Sequence, residues 1–291
     1  MPILLFFLVL SCIDVDVTIH TTKTWVEDSF KKELEVEEPL TLELETISGD
    51  VTVTMGKERK LKVLCTFQVS TGEKEEAEKI AEKIKADPPI EVEQNKIRIG
   101  NLQKYKLRPS QRVNMDFQIE APYNTSVNAR SGSGDHRIEN IKGPVLVKTG
   151  SGDIKIKDIS EKVDVETGNG DIKISGVSGS VDAGTGSGDL VLETVGGDVS
   201  IQTGSGDIIV DSPIGDARWS FNTGSGDITL KLPAGSEFNY KARTGSGDIE
   251  IGFASTTSRQ TRGELEGKVG EKSVAEILVE TGSGDIEIKK G

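Results

Sequence analysis

Apolar and polar residues alternate with a period of two through long stretches of this chain. Ile154 and Ile156 alternate with Lys155 and Lys157; after a turn through Ile159, Ser160, Glu161 and Lys162, Val163 and Val165 alternate with Asp164 and Glu166. Alternation of this kind marks strands with one buried face. The next stretches repeat it: Ile172, Ile174, Val177 and Val181, then Leu190, Leu192, Val195, Val199 and Ile201, then Ile208 and Val210. Each unit reads as strand, turn, strand and Gly-rich corner.

The corner is a motif, Thr/Ser-Gly-Ser/Asn-Gly-Asp. It ends at Asp135, Asp153, Asp171, Asp189, Asp207, Asp227, Asp248 and Asp285, with successive spacings of 18, 18, 18, 18, 20, 21 and 37. One such unit cannot bury its apolar face alone, but stacked units can. Like positions then lie about 4.8 Å apart, so Ile154, Ile172, Leu190 and Ile208 would form one ladder and Ile156, Ile174, Leu192 and Val210 another. The fold expected is a mainly β, right-handed parallel β-solenoid with one unit of about 18 residues per coil. An antiparallel meander of hairpins is the alternative the spacing permits. Trp219 and Phe221 replace Val199 and Ile201 in the 20-residue unit and should widen or plug the core. The spacing of 37 reads as two periods with one degenerate unit between. Residues 256–270 are polar and Gly-rich and read as a mobile loop outside the stack, a candidate contact site, and 274–288 as the coil that caps it.

The earlier residues differ. Residues 40–47 alternate, Ser48-Gly49-Asp50 is a shorter echo of the motif, and 61–69 form a strand in which Cys65 should be buried and inert. Ala77, Ile80, Ala81 and Ile84 share one face of a charged segment that ends at Pro88-Pro89, which predicts one helix over 73–87, packed over an end of the sheet. Residues 90–99 and 113–121 are further strands. The organisation expected is a leader over 1–12, an extension over 13–39, a β-rich part over 40–130 and the repeat solenoid over 131–291, the last two forming one continuous domain.

The leader names a compartment. Residues 1–11 are almost wholly apolar and Cys12 follows at once. The run is shorter than the roughly 20 residues a membrane-spanning helix needs and fits the core of a secretory signal. Val9-Leu10-Ser11-Cys12 resembles a bacterial lipobox, which implies lipidation at Cys12 and an extracytoplasmic protein of the cell envelope. No Lys or Arg precedes the apolar run.

Composition narrows the chemistry. A net charge of −13 argues against nucleic acid, whose phosphates need basic partners. Two cysteines make neither a disulfide framework nor a zinc site. His20 and His136 are isolated in sequence, and His136 falls in the slot of Ile154, which reads as a rim position. No corner is followed by Lys and a helix, as a phosphate loop requires. The motif aspartates read as structural turn residues that accept hydrogen bonds from turn amides. A calcium ladder is the alternative, but the second turn is often poor in acids, as over 176–180, and calcium needs many oxygens. No metal, cofactor or catalytic residue is expected.

Three segments carry a family resemblance: 113–135, ending in Ser131-Gly132-Ser133-Gly134-Asp135; 232–248, from Leu232-Pro233-Ala234 to Thr244-Gly245-Ser246-Gly247-Asp248; and Thr281-Gly282-Ser283-Gly284-Asp285-Ile286. Over residues 40–291 the chain is similar to a bacterial and archaeal family provisionally called adhesins, Gly-Asp β-repeat proteins related to toast-rack envelope domains. The resemblance implies the repeat fold and carries over no catalytic residue. The expected function is a non-enzymatic binding or scaffold module whose partner is a protein or polysaccharide of the envelope, with membrane contact only through a lipid anchor. A carbohydrate-active enzyme on a β-helix and an envelope-stress sensor domain are the alternatives.

Overall fold

The computed structural model describes residues 25–57, 59–271 and 274–291. The leader, Cys12 and His20 lie outside the described residues.

The expected solenoid forms, and its strands are parallel. Each coil gives one strand to a 13-stranded sheet, turns at the Gly-Ser-Gly-Asp corner, and gives a second strand to a 12-stranded sheet that faces the first. Ile154 pairs with Ile172, Ile172 with Leu190 and Leu190 with Ile208, all in parallel register. Across the interior Val145, Val163, Val181 and Val199 make a matching column. The antiparallel meander is excluded through the repeats by this register. Because side chains alternate faces, one residue of slip would turn every aliphatic outward, so the burial pattern pins each coil on its neighbour.

Trp219 and Phe221 keep their places in the columns of Val199 and Ile201. Both are fully buried and meet edge to face, with ring centroids 6.0 Å apart. The indole N–H donates to the carbonyl of Gly197 at 3.1 Å, which meets the need of a buried Trp for a polar partner. The aromatics plug the core.

The N-terminal end is built from a detour. The coil of Leu40–Ser48 and Val51–Met55 lies directly on the coil of Thr125–Ser133 and His136–Ile141, although some seventy residues separate them in sequence. Those residues extend the 12-stranded sheet through Arg112–Ala121 and Lys60–Ser70, with Trp25–Glu35 at its edge. The helix Lys74–Ala86 lies against Trp25–Glu35 and Lys60–Ser70, and it buries Ala77, Ile80, Ala81 and Ile84, the face read from the sequence. Cys65 is fully buried on Lys60–Ser70; burial, and secondarily the carboxylate of Asp116, pushes its thiol pKa up, away from reactive thiolate.

The C-terminal end differs from expectation in three ways. The strands Glu276–Ser283 and Ile286–Lys290 do not cap the stack. They are inserted between the coil of Arg218–Ser225 and Ile228–Leu232 and the coil of Phe238–Thr244 and Ile249–Ile251. The chain leaves one coil-width empty after Leu232, forms the terminal coil, and returns to fill the gap. Residues 256–270 are not a loop outside the stack either. Ser255–Thr261 and Glu264–Val269 form a hairpin that pairs antiparallel with Phe238–Thr244 and ends the 13-stranded sheet. The spacing of 37 therefore hides this hairpin, and no degenerate coil lies there. Periodicity could not show this, because the inserted coil carries the same motif as its neighbours and fits any slot.

The insertion makes a definite outcome. Deleting 275–291 removes an inner rung and leaves the terminal coil and its hairpin, still paired with each other, without a ladder to the rest of the stack. Hydrogen exchange should then show lost protection across Phe238–Thr244 and Glu264–Val269 with protection kept at Leu190–Val195, and the truncated chain should aggregate through its bared strand edges. Retained protection at Phe238–Thr244 would contradict the inserted order.

Candidate binding trough and the aspartate column

The motif residues each answer to one contact at the corner. The first Gly of a unit sits over the backbone of the coil before: a Cβ on Gly186 would lie 2.5 Å from the carbonyl oxygen of Gly168. The second Gly adds a backbone constraint, since Gly170 has φ +147° and a Cβ there would stand 2.2 Å from the oxygen of Gly152. The Thr hydroxyl reaches back one coil to a Gly carbonyl, as Thr167 does to Gly152 at 3.0 Å and Thr185 to Gly170 at 3.1 Å.

The eight motif aspartates come together in one column. The backbone N–H of Asp153 donates to Oδ1 of Asp135 at 2.8 Å, Asp171 to Asp153 and Asp189 to Asp171 at 2.9 Å, and Asp207 to Asp189 and Asp227 to Asp207 at 2.8 Å. The column then follows space and not sequence: Asp285 donates to Asp227 and Asp248 donates to Asp285, both at 2.8 Å. At the other end it gains two members, with Asp135 donating to Asp50 and Asp50 to Asp116, each at 2.9 Å. The echo at Ser48-Gly49-Asp50 signalled Asp50. Nothing signalled Asp116, which lies within the unbroken strand Arg112–Ala121. Among the described residues no group of three or more His, Cys, Asp or Glu is arranged to hold a metal ion.

His136 is not at a rim. It is 1% exposed, inside the stack.

A concavity lies where the repeat is broken, on the outer face of the 13-stranded sheet at the hairpin end. It is a trough of about 940 Å³. Ser220, Leu278 and Lys241 lie side by side in register across its floor, one from each of the last three coils. Thr256, Ser258 and Lys268 of the hairpin line one side, and Arg218 and Glu276 lie in the neighbouring row of the same face, in register with Asn239 and Lys268. Leu278 is 36% exposed on the floor. Arg218 Nε pairs with Glu276 Oε2 at 2.9 Å, and Lys241 lies 3.8 Å from Glu266. Beside the trough, Glu264 gathers Arg243 at 3.0 Å and Arg259 at 3.2 Å, while Arg243 also holds Glu280 at 3.1 Å. Hydrogen bonding from Arg243 holds the Glu264 carboxyl below its ordinary range. This network joins inserted coil, terminal coil and hairpin, and so fixes the trough's shape. Sequence reading offered 256–270 only as a candidate contact site and gave no sign of the floor, because Ser220, Leu278 and Lys241 become neighbours only through the inserted coil.

These features define a two-sheet parallel β-solenoid with a structured concavity at its irregular end. Residues 41–289 match the family described as Toastrack DUF4097, and the chain belongs to that family. Among solved structures it is similar to a protein of Clostridium sporogenes provisionally named for cell adhesion (16% identity, TM-score 0.30, 91% of this chain and 100% of that one). It is also similar to one from Bacteroides fragilis provisionally named an adhesin (13%, 0.37, 90% and 97%). A third, from Parabacteroides distasonis, is provisionally named for lipid binding (13%, 0.43, 91% and 97%). No curated protein matches the chain.

The corner geometry sets an order of sensitivities. Gly170→Ala forces a left-handed backbone strain of about 1–3 kcal/mol and a clash with backbone that cannot move aside. Asp171→Ala removes one solvent-exposed acceptor, costing about 1 kcal/mol. Urea melts should rank Gly170→Ala clearly the more destabilised, and equal losses would contradict the close approach of successive corners.

Proposed function

We propose that this chain is a non-enzymatic, extracytoplasmic binding module of the cell envelope, adhesin-like in role, that holds an envelope polysaccharide in the trough of Ser220, Leu278 and Lys241. One observation carries this reading: a trough of about 940 Å³ is built where the chain departs from its repeat. The hairpin raises a wall beside the sheet there, and a specific ligand needs a concave site with a few placed polar groups. The lining suits a sugar polymer. Hydroxyls of Ser220, Thr256 and Ser258 accompany Lys241 and Lys268, and the carboxylates of Glu266 and Glu276 balance nearby cations. Family membership supports the fold on which the reading rests.

The motif aspartates are structural on this reading, since each corner carboxylate already serves the next corner's amide. A catalytic pair of carboxylates would stand apart from such a column. Among the described residues no helix is long and apolar enough to cross a membrane; a lipid on Cys12 would supply the tether.

Co-sedimentation of the full chain with purified insoluble envelope polysaccharide tests the proposal. Wild type should sediment, and Ser220→Trp combined with Leu278→Trp, which fills the trough from outward positions, should weaken binding at least about tenfold. Equal binding by the filled variant removes the trough from the function. Release of reducing ends makes the chain an enzyme, and binding only to envelope proteins makes the partner a protein. Mass spectrometry of the mature N-terminus checks the anchor: a diacylated Cys12 is expected, and an unmodified Met1 on cytosolic protein overturns export.

A further inference from the structure

The most anomalous buried group lies far from the trough. His136 occupies an interior column of aliphatic residues, with Val51 its neighbour on one side and Ile154 on the other. Ser131 stands at the position where the following units carry Thr149, Thr167 and Thr185. The chain thus departs from its repeat twice on one rung, and the two departures touch.

The hydrogen bonds there run in one direction. Thr149 Oγ1 donates to the carbonyl of Ser151 at 3.0 Å, and Ser131 Oγ donates to Thr149 Oγ1 at 2.8 Å. The Ser131 proton is therefore committed, so Nε2–H of His136 donates to Ser131 Oγ across 2.7 Å. The imidazole gives Ser131 a proton instead of removing one, which is the wrong direction for an activated nucleophile. Nδ1 is left with a bare lone pair and has no hydrogen-bond partner among the described residues. A buried polar atom without a partner is costly, and a repeat that elsewhere places isoleucine here offers a cheaper residue.

The position is a seam. From Thr125 to Asp211 successive coils are joined by short turns, but the coil of Leu40–Ser48 and Val51–Met55 reaches its spatial neighbour only through the long detour. Ladder pairing, the interior column and the bond from Asp135 to Asp50 hold this junction, and the chain itself crosses it only between Ala121 and Thr125. The charges around the ring come from every element packed on it. Asp50 precedes Val51, Asp135 lies at its own corner and Asp153 precedes Ile154. Arg137 and Glu139 lie beside it on the same strand, paired at 2.9 Å. Arg130 and Lys148, on the strands of Ser131 and Thr149, are exposed to solvent.

We propose that His136 makes this seam an acid-sensitive latch: proton uptake at Nδ1 puts an unpaired N–H and a charge into the interior column and loosens the N-terminal unit from the repeat stack. Burial holds the folded imidazole down at about 4, with Asp135 and Asp50 pulling partly the other way. Once the seam opens, water returns the ring to its ordinary value of 6.5. Between these values the open state takes up a proton that the closed state refuses. Seam stability is thus complete above 6.5 and is lost as pH falls towards 4. At pH 5 this linkage raises the opening equilibrium about thirtyfold. Opening bares both strand edges and the interior column of the coil that begins at Thr125. The latch is independent of the trough and stands or falls separately from polysaccharide binding.

Imidazole titration by NMR on the full chain, with His20→Ala to assign the signals, reads the latch directly. The His136 midpoint should lie well below 6.5. Site-resolved hydrogen exchange, corrected for intrinsic rates, should show opening across Val51–Met55 and His136–Ile141 rising about twentyfold between pH 7 and pH 5, with Leu190–Val195 unchanged. His136→Ile, which supplies the residue of the neighbouring rungs, should abolish that local rise. A midpoint near 6.5, the same acid response in His136→Ile, or an equal rise along the whole stack overturns the proposal. If the variant does not fold, the wild-type titration and the location of the exchange decide it.

Discussion

The whole molecule depends on backbone touching backbone at one corner. Successive coils stack at the spacing of paired β-strands, about 4.8 Å, and at the corner there is no room for a side chain between them. Gly168 and Gly186 meet this by presenting no Cβ, and Gly170 adds a left-handed turn that other residues adopt only under strain. In-register stacking then forces like on like. Aliphatic columns benefit, because identical shapes pack without voids. Carboxylate columns suffer, because neighbouring charges repel by about 1 kcal/mol in a water-like medium. Each carboxylate offsets this by accepting the next corner's amide, a charge-assisted bond of roughly 1.5–3 kcal/mol. The aspartate therefore turns an unpaired turn amide into a link between coils, which is why it recurs with the glycines.

The inserted coil is a consequence of the same uniformity. A stack whose rungs are interchangeable does not require that order in space follow order in sequence. The strands Glu276–Ser283 and Ile286–Lys290 find Arg218–Ser225 and Phe238–Thr244 equally good partners. The result is a non-local closure: the terminal coil and hairpin cannot complete their ladders until residues far along the chain arrive. Such closure pays loop entropy before its contacts form, and it ties the irregular end together more firmly than a simple cap would.

Legibility divided along the same line. The period of 18, the paired faces and the aspartate column could be read from residues such as Ile154, Ile172 and Asp171, because stacking makes sequence period and spatial neighbourhood the same thing. Helix 73–87 was legible within one residue at each end, since Ala77, Ile80, Ala81 and Ile84 share one face and two prolines follow. Where the chain left the period, the reading failed. Residues 256–270 looked like a loop because a polar hairpin on an outer edge buries little on either face and so lacks clear alternation. Residues 274–288 were placed at the end of the stack because only three-dimensional pairing distinguishes an inner coil from an outer one. His136 looked like a rim residue because a polar side chain in an aliphatic slot is cheapest at the rim; its burial reflects the bonds through Ser131 and Thr149, which no single-residue argument reveals.

The departures from the repeat are also where particular chemistry can reside. Along the regular coils the outward residues change from rung to rung, as Lys148, Glu166, Gly184 and Gln202 do, but the backbone on which they stand repeats. The hairpin changes that. By turning antiparallel beside Phe238–Thr244 and bulging between Thr257 and Arg259, it raises a wall over a surface that would otherwise stay open. Glu264, with Arg243 and Arg259 around it, then holds that wall against the terminal coil. His136 is the inner counterpart, a departure that spends stability inside a column whose other members gain it. A chain built almost wholly from one interchangeable unit has two ways to become specific: to add a surface outside the period, or to weaken one joint within it. The trough and the seam at His136 are these two departures.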